Sequence, residues 1–187
     1  LGLATDAPIP TGLIAAVKMG TTVATNALLE RQGDRTLLLI TQGFRDALRI
    51  GYQNRPQLFA RRIVLPELLY ERVAEVRERV SAGGDILVPL DLAGTRTALA
   101  AAHAAGIRAV AIVFLHGYRY PEHECQAAAL ARDLGFTQVS VSHQVSPLMK
   151  LVGRGDTTVA DAYLSPILRR YVDRIADELG GARLLFM

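Results

Sequence analysis

Two uninterrupted apolar runs constrain the fold of this chain more than any other feature. Residues 36–41 (TLLLIT) and 109–115 (AVAIVFL) contain almost no polar side chains. Runs this short are typical of strands that are buried on both faces, as the strands of parallel sheets are. Helical patterns alternate with them, and this βαβα order predicts an α/β fold: a mainly parallel or mixed sheet flanked by helices.

Helices are predicted where apolar residues recur at helical spacing and end signals agree. Asp91 is a plausible N-cap for a helix over 91–105, and Gly106 and Gly135 are stop signals. Pro166 predicts a bend or a break in the longest helix. The predicted helices cover residues 23–31, 44–50, 91–105, 121–134 and 157–179, and a further strand covers 138–142.

The segment between residues 55 and 90 is less regular and contains three prolines. Residues 71–80 alternate in character, which predicts an antiparallel strand, and residues 85–88 can pair with it across the turn 81–84. We therefore expect a hairpin excursion at 55–90 within a single domain fragment that spans residues 1–187.

Composition excludes several classes of protein. The chain has 187 residues, of which 50% are hydrophobic and 21% charged, so a packed core is expected. The charges are interspersed and their sum is only +3, which argues against nucleic-acid binding. No apolar run is long enough to span a membrane. A single cysteine, Cys125, cannot form an internal disulfide and suits the cytoplasm.

Both ends read as if cut from a longer chain. The sequence begins at Leu1 without an initiator methionine or a signal peptide, and it stops at Met187 inside an apolar run that reads as the beginning of a strand. We expect a fragment.

The segment Gly20-Thr21-Thr22 precedes a predicted helix, with Asn26 one turn further on. Free backbone N–H groups at a helix start favour an anion, and threonine hydroxyls add donors. N-capping by Thr21 or Thr22 explains the same pattern, and the spacing leaves both interpretations open. No lysine follows at P-loop spacing, so this is not a Walker motif.

Three arginines are candidates for holding a substrate carboxylate, because a guanidinium group binds it with two parallel hydrogen bonds. They are Arg45, Arg55 and Arg154. A surface or inter-domain salt bridge is the favoured explanation for any one of them, and the adjacent pair Arg45 and Asp46 is also suited to capping a helix start.

Two further patterns bear on metal binding and on nucleophilic catalysis. His116, His123 and Glu124 lie close in sequence, but not at the spacing of a zinc-binding helix, and we predict no metal site. Cys125 has no evident partner for nucleophilic catalysis, and burial is the simpler expectation.

Four long motifs occur in an order that resembles one known family. They are MGTTVATNALLER at 19–31, GFRDALRIGYQNRPQLF at 43–59, FLHGYRYPEHE at 114–124 and DAYLSPILRRYV at 161–172. Together with the connecting segments, they make nearly the whole chain similar to the amino-terminal region of the hydantoinase A/5-oxoprolinase family. Met19, where many hydantoinase and ketone-carboxylase subunits have histidine, makes the chain look more like the 5-oxoprolinase branch.

The resemblance implies a partial actin-like ATPase domain, related to sugar kinases and Hsp70, that uses ATP and Mg²⁺. It implies a cytoplasmic, ATP-dependent hydrolase of small cyclic amides that forms a homo-oligomer. The partner is then the remainder of its own polypeptide or a hydantoinase B-type subunit. By motif position, the resemblance assigns substrate or phosphate contacts to Gly20, Thr21, Thr22, Asn26, Arg45, Asp46 and Arg55, and it identifies no catalytic base.

The chain also departs from the family pattern. Members normally open with a DxGGTFTD-type turn and continue into a second domain, and neither is in this sequence. We therefore expect the fragment to be inactive alone. Two alternatives remain: the ATP-dependent subunit of an N-methylhydantoinase or ketone carboxylase, and a structural or assembly module without its own active site.

Overall fold

The computed structural model describes residues 14–52, 57, 59–65, 67–179 and 182–186. The elements in chain order are β1 (Val17–Met19), α1 (Val23–Leu29), β2 (Thr36–Thr41), α2 (Ala47–Ile50), β3 (Arg72–Val76), β4 (Arg79–Val80), β5 (Ile86–Val88), α3 (Leu92–Ala104), β6 (Ala109–Val113), α4 (Glu122–Asp133), β7 (Gln138–Val141), α5 (Ser142–Val145), α6 (Leu151–Glu178) and β8 (Leu184–Phe186).

The described residues divide into two compact units. The larger unit is Gly33–Tyr163, and the smaller unit contains the residues up to Gln32 and those from Leu164 onward. The division falls inside α6.

The larger unit is built on a four-stranded sheet with the order β3-β2-β6-β7. All three strand pairings are parallel, and in the central one Thr36 pairs with Ala109. Every residue of β2 and β6 is buried, as expected for strands covered on both faces. The predicted α/β fold with a parallel sheet flanked by helices is confirmed.

The two faces of this sheet carry separate cores. Leu37 and Leu39 of β2 pack on the side of α3 and α4, whereas Leu38 and Ile40 pack on the side of α2 and α6. This division follows from the period of two in a strand, which sends successive side chains to opposite faces. The second face also borders a cavity lined by Leu48, Tyr70 and Val159.

Helix ends in the larger unit follow the sequence signals. The Asp91 carboxylate accepts a hydrogen bond from the Gly94 amide at 2.9 Å, so Asp91 is the N-cap of α3. Gly106 and Gly135 follow α3 and α4 with φ of 85° and 87°, a region that glycine adopts without steric cost.

The predicted antiparallel strand over 71–80 is wrong for its first half. Residues 72–76 form β3, which pairs in parallel with β2 at the edge of the main sheet. Only β4 takes part in an antiparallel hairpin, with β5, closed by a turn in which the Ser81 amide bonds the Asp85 carbonyl at 2.8 Å. An edge strand has one open side and alternates like an antiparallel strand, so its sequence pattern did not reveal its direction.

In the smaller unit, β1 pairs with β8 in parallel, and the ring of Tyr171 meets that of Phe186 edge-on.

Helix α6 begins at Leu151, six residues before the predicted start, and continues through Pro166 without a break. No helix in the described part of the chain is long and apolar enough to cross a bilayer.

Candidate functional site

The Gly20–Asn26 segment lies in the smaller unit and joins β1 to α1. The Thr21 hydroxyl accepts a hydrogen bond from the Val23 amide at 3.2 Å, whereas Thr22 occupies the N-cap position without a side-chain cap bond. Gly20, Thr22 and Asn26 are exposed, and a Cβ added to Gly20 would meet no atom within 4 Å. Local capping therefore uses Thr21 and leaves the Thr22 hydroxyl on an open surface.

Arg45 and Asp46 follow β2 in the larger unit and are both exposed. Asp46 is at the N-cap position of α2 but makes no cap hydrogen bond, so the capping interpretation of this pair is wrong. Both residues line a groove of about 400 Å³ beside the beginning of β3. Arg55 lies outside the described residues.

Three arginines surround this groove: Arg45, Arg49 and Arg72. Its acidic residues are Asp46 and Glu71, and Glu71 is already engaged by the Arg35 guanidinium through two bonds of 2.6 and 2.7 Å. The hydrogen bonds from Arg35 are the main reason that the pKa of the exposed Glu71 is lowered. The groove therefore carries excess positive charge and suits an anion.

A larger cavity of about 560 Å³ lies on the α6 face of the sheet, next to the groove. Its walls are mostly apolar and include Leu48, Ile50, Ile63, Leu65, Leu68 and Val159. Arg49, Leu68 and Tyr70 line both the cavity and the groove. This size and this mixture of apolar walls with a few polar groups are typical of small-molecule sites.

Two polar side chains at the cavity, Tyr70 and Asp156, have shifted pKa values. The Tyr70 hydroxyl is buried and has no hydrogen-bond partner in the described part of the chain. Burial is the largest effect on the Tyr70 hydroxyl and raises its pKa. The positive charge of Arg49 lowers this pKa, and the negative charges of Asp156 and Asp46 raise it. Partial desolvation also raises the pKa of Asp156, on α6, although this residue remains exposed.

Polar side chains beyond the carboxyl ends of the strands bond mainly to one another. Glu78, which is 3% exposed, binds the Thr41 hydroxyl with one oxygen and His123 Nδ1 with the other at 2.8 Å. Thr41 Oγ1 also accepts from the Leu115 amide at 3.0 Å. This group ties β2, β6 and α4 together.

Glu124 is completely buried and accepts four hydrogen bonds. One oxygen binds the Phe114 amide at 2.9 Å and the Ser142 hydroxyl at 2.5 Å. The other binds the His143 amide at 3.0 Å and His143 Nδ1 at 2.7 Å. The carboxylate therefore joins the end of β6 to α5, which is a structural role.

Arg154 is fully buried and its guanidinium group donates to backbone carbonyls. The acceptors are Leu148 and Met149 through one nitrogen, and Phe114 and Leu115 through the other at 2.5 and 3.0 Å. Burial is the largest effect on its pKa and lowers it. Arg154 is thus occupied with the backbone rather than open to a substrate carboxylate.

The histidines and the cysteine can be assigned in the same way. In the described residues, no group of three or more His, Cys, Asp or Glu side chains fits a metal ion. His123 and Glu124 each bind other partners. Cys125 is exposed, so the expectation of burial is wrong, and its sulfur lies 3.8 Å from His143 Nε2. Burial of part of the thiol, with the nearby acids Glu122 and Glu124, raises the pKa of Cys125, which disfavours a reactive thiolate.

Comparison with known proteins identifies the family. The profile of the hydantoinase/oxoprolinase N-terminal region matches residues 1–135. The chain belongs to the hydantoinase/oxoprolinase family. It is 40% identical to 5-oxoprolinase 1 of Arabidopsis thaliana over 96% of its own length, and it spans 16% of that protein.

Solved structures agree with this membership. The crystal structure of the ATP-dependent caprolactamase from Pseudomonas jessenii matches with a TM-score of 0.76 and 34% identity, over 89% of this chain and 25% of that one. A nucleotide-free acetone carboxylase matches with a TM-score of 0.74 and 23% identity, over 88% of this chain and 26% of that one, and supports the fold alone.

Within this hydantoinase/oxoprolinase chain, the sequence interpretation missed Arg49 and Tyr70. Arg49 lies inside the motif at 43–59, four residues after Arg45, and the helix predicted over 44–50 would place both on one side. Tyr70 lies in an irregular segment whose pattern gives no signal. Tyr70 belongs to the same buried cluster as Val159 and Ala162 of α6, and Arg49 lines the cavity from α2.

Proposed function

We propose that the chain is part of an ATP-dependent 5-oxoprolinase, which converts 5-oxo-L-proline, ATP and water into L-glutamate, ADP and phosphate. The similarity to a plant 5-oxoprolinase along 96% of the chain carries this proposal. The arginine-lined groove adds a suitable surface for an anionic substrate. The whole chain, residues 1–187, is then one segment of the N-terminal domain of that enzyme.

The chemistry explains why such an enzyme uses ATP. A five-membered lactam is a poor electrophile, and phosphorylation of its oxygen makes the ring carbon open to attack by water. The protein then has to position the reactants and neutralise phosphoryl charge. We assign Gly20, Thr21, Thr22 and Asn26 to phosphate or substrate contact on their motif position, together with Arg45, Asp46 and Arg55.

The fit to a phosphate rests on the smaller unit. Gly20 leaves room for close approach, and the exposed Thr22 hydroxyl stands at the amino end of α1. In the described part of the chain, no group of three or more His, Cys, Asp or Glu side chains could hold a metal ion. On the family pattern, we propose that the cation and most of the nucleotide contacts come from parts of the complete enzyme other than these described residues. The isolated chain is expected to be inactive.

Substrate comparison tests the proposed reaction. The complete polypeptide that contains this segment is assayed for ADP release with 5-oxo-L-proline, with a hydantoin, and with a ketone plus bicarbonate. We expect 5-oxo-L-proline to stimulate ADP release and to yield glutamate in equal amount. Turnover with only the hydantoin or only the ketone would replace this proposal with the corresponding hydantoinase or ketone-carboxylase subunit.

Substitution of the motif residues tests their assignment. Thr22→Ala and Arg55→Ala in the complete enzyme should lower kcat/KM about 100-fold or more, as expected for lost phosphoryl or substrate contacts. Thr25→Ala, an exposed threonine on the same short helix, is the control. Full activity of both variants would return these residues to structural roles and would favour an assembly module.

The remaining properties follow from the same proposal. We propose a cytoplasmic homo-oligomer, with the remainder of its own polypeptide or a hydantoinase B-type subunit as the partner. Gel filtration with light scattering on the complete protein measures the oligomeric state, and a monomeric mass would contradict the homo-oligomer.

A further inference from the structure

The apolar cavity and the arginine groove share a wall made by Arg49, Leu68 and Tyr70. We infer that they form one binding site for a small organic carboxylate, with the carbon frame in the cavity and the carboxylate at Arg49. The identification of that ligand as a cyclic amide acid rests on the proposed function, whereas recognition of the carboxylate does not.

The apolar part of the argument starts from exposed side chains. Ile50 and Ile63 are 53% and 48% exposed, and Leu65 is 42% exposed, although all three line the cavity. A ligand that covers such surface gains about 25 cal/mol for each Å² of apolar area removed from water. A volume of about 560 Å³ accommodates a five-membered ring with room to spare.

The charged part follows from the balance of charges at the shared wall. Arg49 has no ion pair within the described residues, and Arg45 contributes further positive charge to the groove, whereas Arg72 lies 3.9 Å from Glu71. The other acids at the walls are Asp46 in the groove and Glu67 and Asp156 in the cavity. Arg35 already binds Glu71, which removes one of the acids that would otherwise compete for Arg49. A guanidinium group beside an apolar cavity favours a carboxylate, because the two can form paired charge-assisted hydrogen bonds.

The Tyr70 hydroxyl adds selectivity within carboxylates. It is a buried donor without a partner in the described part of the chain, and buried hydroxyls of this kind are rare. Tyr70 lines both the cavity and the groove. After a small movement of its side chain, its hydroxyl can donate to a carbonyl of a ligand beside the ring. This favours a ring that carries a carbonyl over a plain hydrocarbon ring.

Three small probes separate these contributions in binding titrations followed by the amide NMR signals of the 187-residue chain. 5-Oxo-L-proline has both a carboxylate and a ring amide, cyclopentanecarboxylate has only the carboxylate, and 2-pyrrolidinone has only the amide. We expect 5-oxo-L-proline to bind tightest, with the largest signal changes at Arg49, Gly51 and Leu68.

Variants assign each contribution to a side chain. Arg49→Gln should weaken both carboxylate probes at least tenfold and leave 2-pyrrolidinone unchanged. Tyr70→Phe should weaken the two amide probes and leave cyclopentanecarboxylate unchanged. Arg96→Gln, an exposed arginine on α3 behind the other face of the sheet, should change none.

Two results would overturn the inference. One is the absence of signal changes around the cavity with every probe at tens of millimolar. The other is an Arg49→Gln variant that binds both carboxylates as the unaltered chain does. If 5-oxo-L-proline binds here but the complete enzyme does not hydrolyse it, the carboxylate site stands and the proposed reaction fails. If the enzyme hydrolyses it and Arg49→Gln has no effect on KM, the reaction stands and this site fails.

Discussion

Replacing Glu124 tests whether the buried polar network stabilises the larger unit. Its two carboxylate oxygens accept bonds from the Phe114 amide, the Ser142 hydroxyl, and two nitrogens of His143. In Glu124→Gln, one of these positions becomes an NH₂ group. Whichever way the amide is turned, that group faces a backbone N–H, of Phe114 or of His143, and two donors then oppose each other.

The magnitude follows from the number of donors left without an acceptor. A buried donor that loses its partner costs about 1–3 kcal/mol. Glu124→Gln leaves one backbone amide in this state, because the hydroxyl can rotate and the imidazole can change tautomer, so we expect about 1–3 kcal/mol of destabilisation. Glu124→Ala removes both oxygens and should cost about 3–5 kcal/mol, as loss of a buried charged partner typically does.

Urea unfolding of the 187-residue chain, followed by circular dichroism, measures these differences in the free energy of unfolding. Glu122→Gln is the matched control, because Glu122 lies in the same first turn of α4 but is exposed. It should change stability by less than about 0.5 kcal/mol. If Glu124→Gln unfolds at the same urea concentration as this control, the network does not stabilise the fold and the reasoning is refuted.

Two further changes test packing and charge. Gly33→Ala would place a Cβ 2.0 Å from a ring carbon of Tyr163, so thermal unfolding should show a loss of about 1–3 kcal/mol or more, partly restored by also changing Tyr163 to Leu. An unaltered melting temperature would contradict that packing. Partial desolvation raises the pKa of the exposed Asp156 above 3.8, so its contribution is complete below pH 3.8 and is lost as the pH rises through the folded-state pKa. Asp156→Asn should therefore be more stable than the unaltered chain at pH 7 and equal to it near pH 3 in urea titrations, and the opposite order at pH 7 would refute the sign.

The strands that could be predicted from the sequence are those that are buried on both faces along their whole length. β2 and β6 are buried on both faces, so their sequences are continuously apolar and their positions were evident. β3 borders the sheet, with Arg72 and Glu75 exposed, and its alternating pattern was attributed to an antiparallel strand. Strand direction depends on a partner 35 residues earlier in the chain, as in the pairing of Leu37 with Arg72, and no local pattern records it.

The candidate site was only partly predictable for a related reason. Motif position assigns Arg45 and Asp46 to substrate or phosphate contact, and the structure places them in an open groove. Arg154 is a candidate by residue type alone, and four carbonyls from two distant segments occupy it. Whether a polar side chain is free or already satisfied depends on long-range contacts, which a single sequence does not contain.

In the larger unit, the polar side chains that stabilise the fold differ from those that remain free to bind a ligand. Ligands of open α/β sheets usually bind beyond the carboxyl ends of the strands. Here Glu78, Glu124 and Arg154 lie at those ends and have their hydrogen bonds directed to neighbouring strands and loops. The Glu78 and Glu124 oxygens in this network cannot turn to a ligand without leaving a buried partner unsatisfied, which costs about 1–3 kcal/mol. Arg49 makes no hydrogen bond or ion pair of this kind in the described residues. A carboxylate can therefore bind Arg49, on the α6 face of the sheet beside β3, without breaking an internal bond.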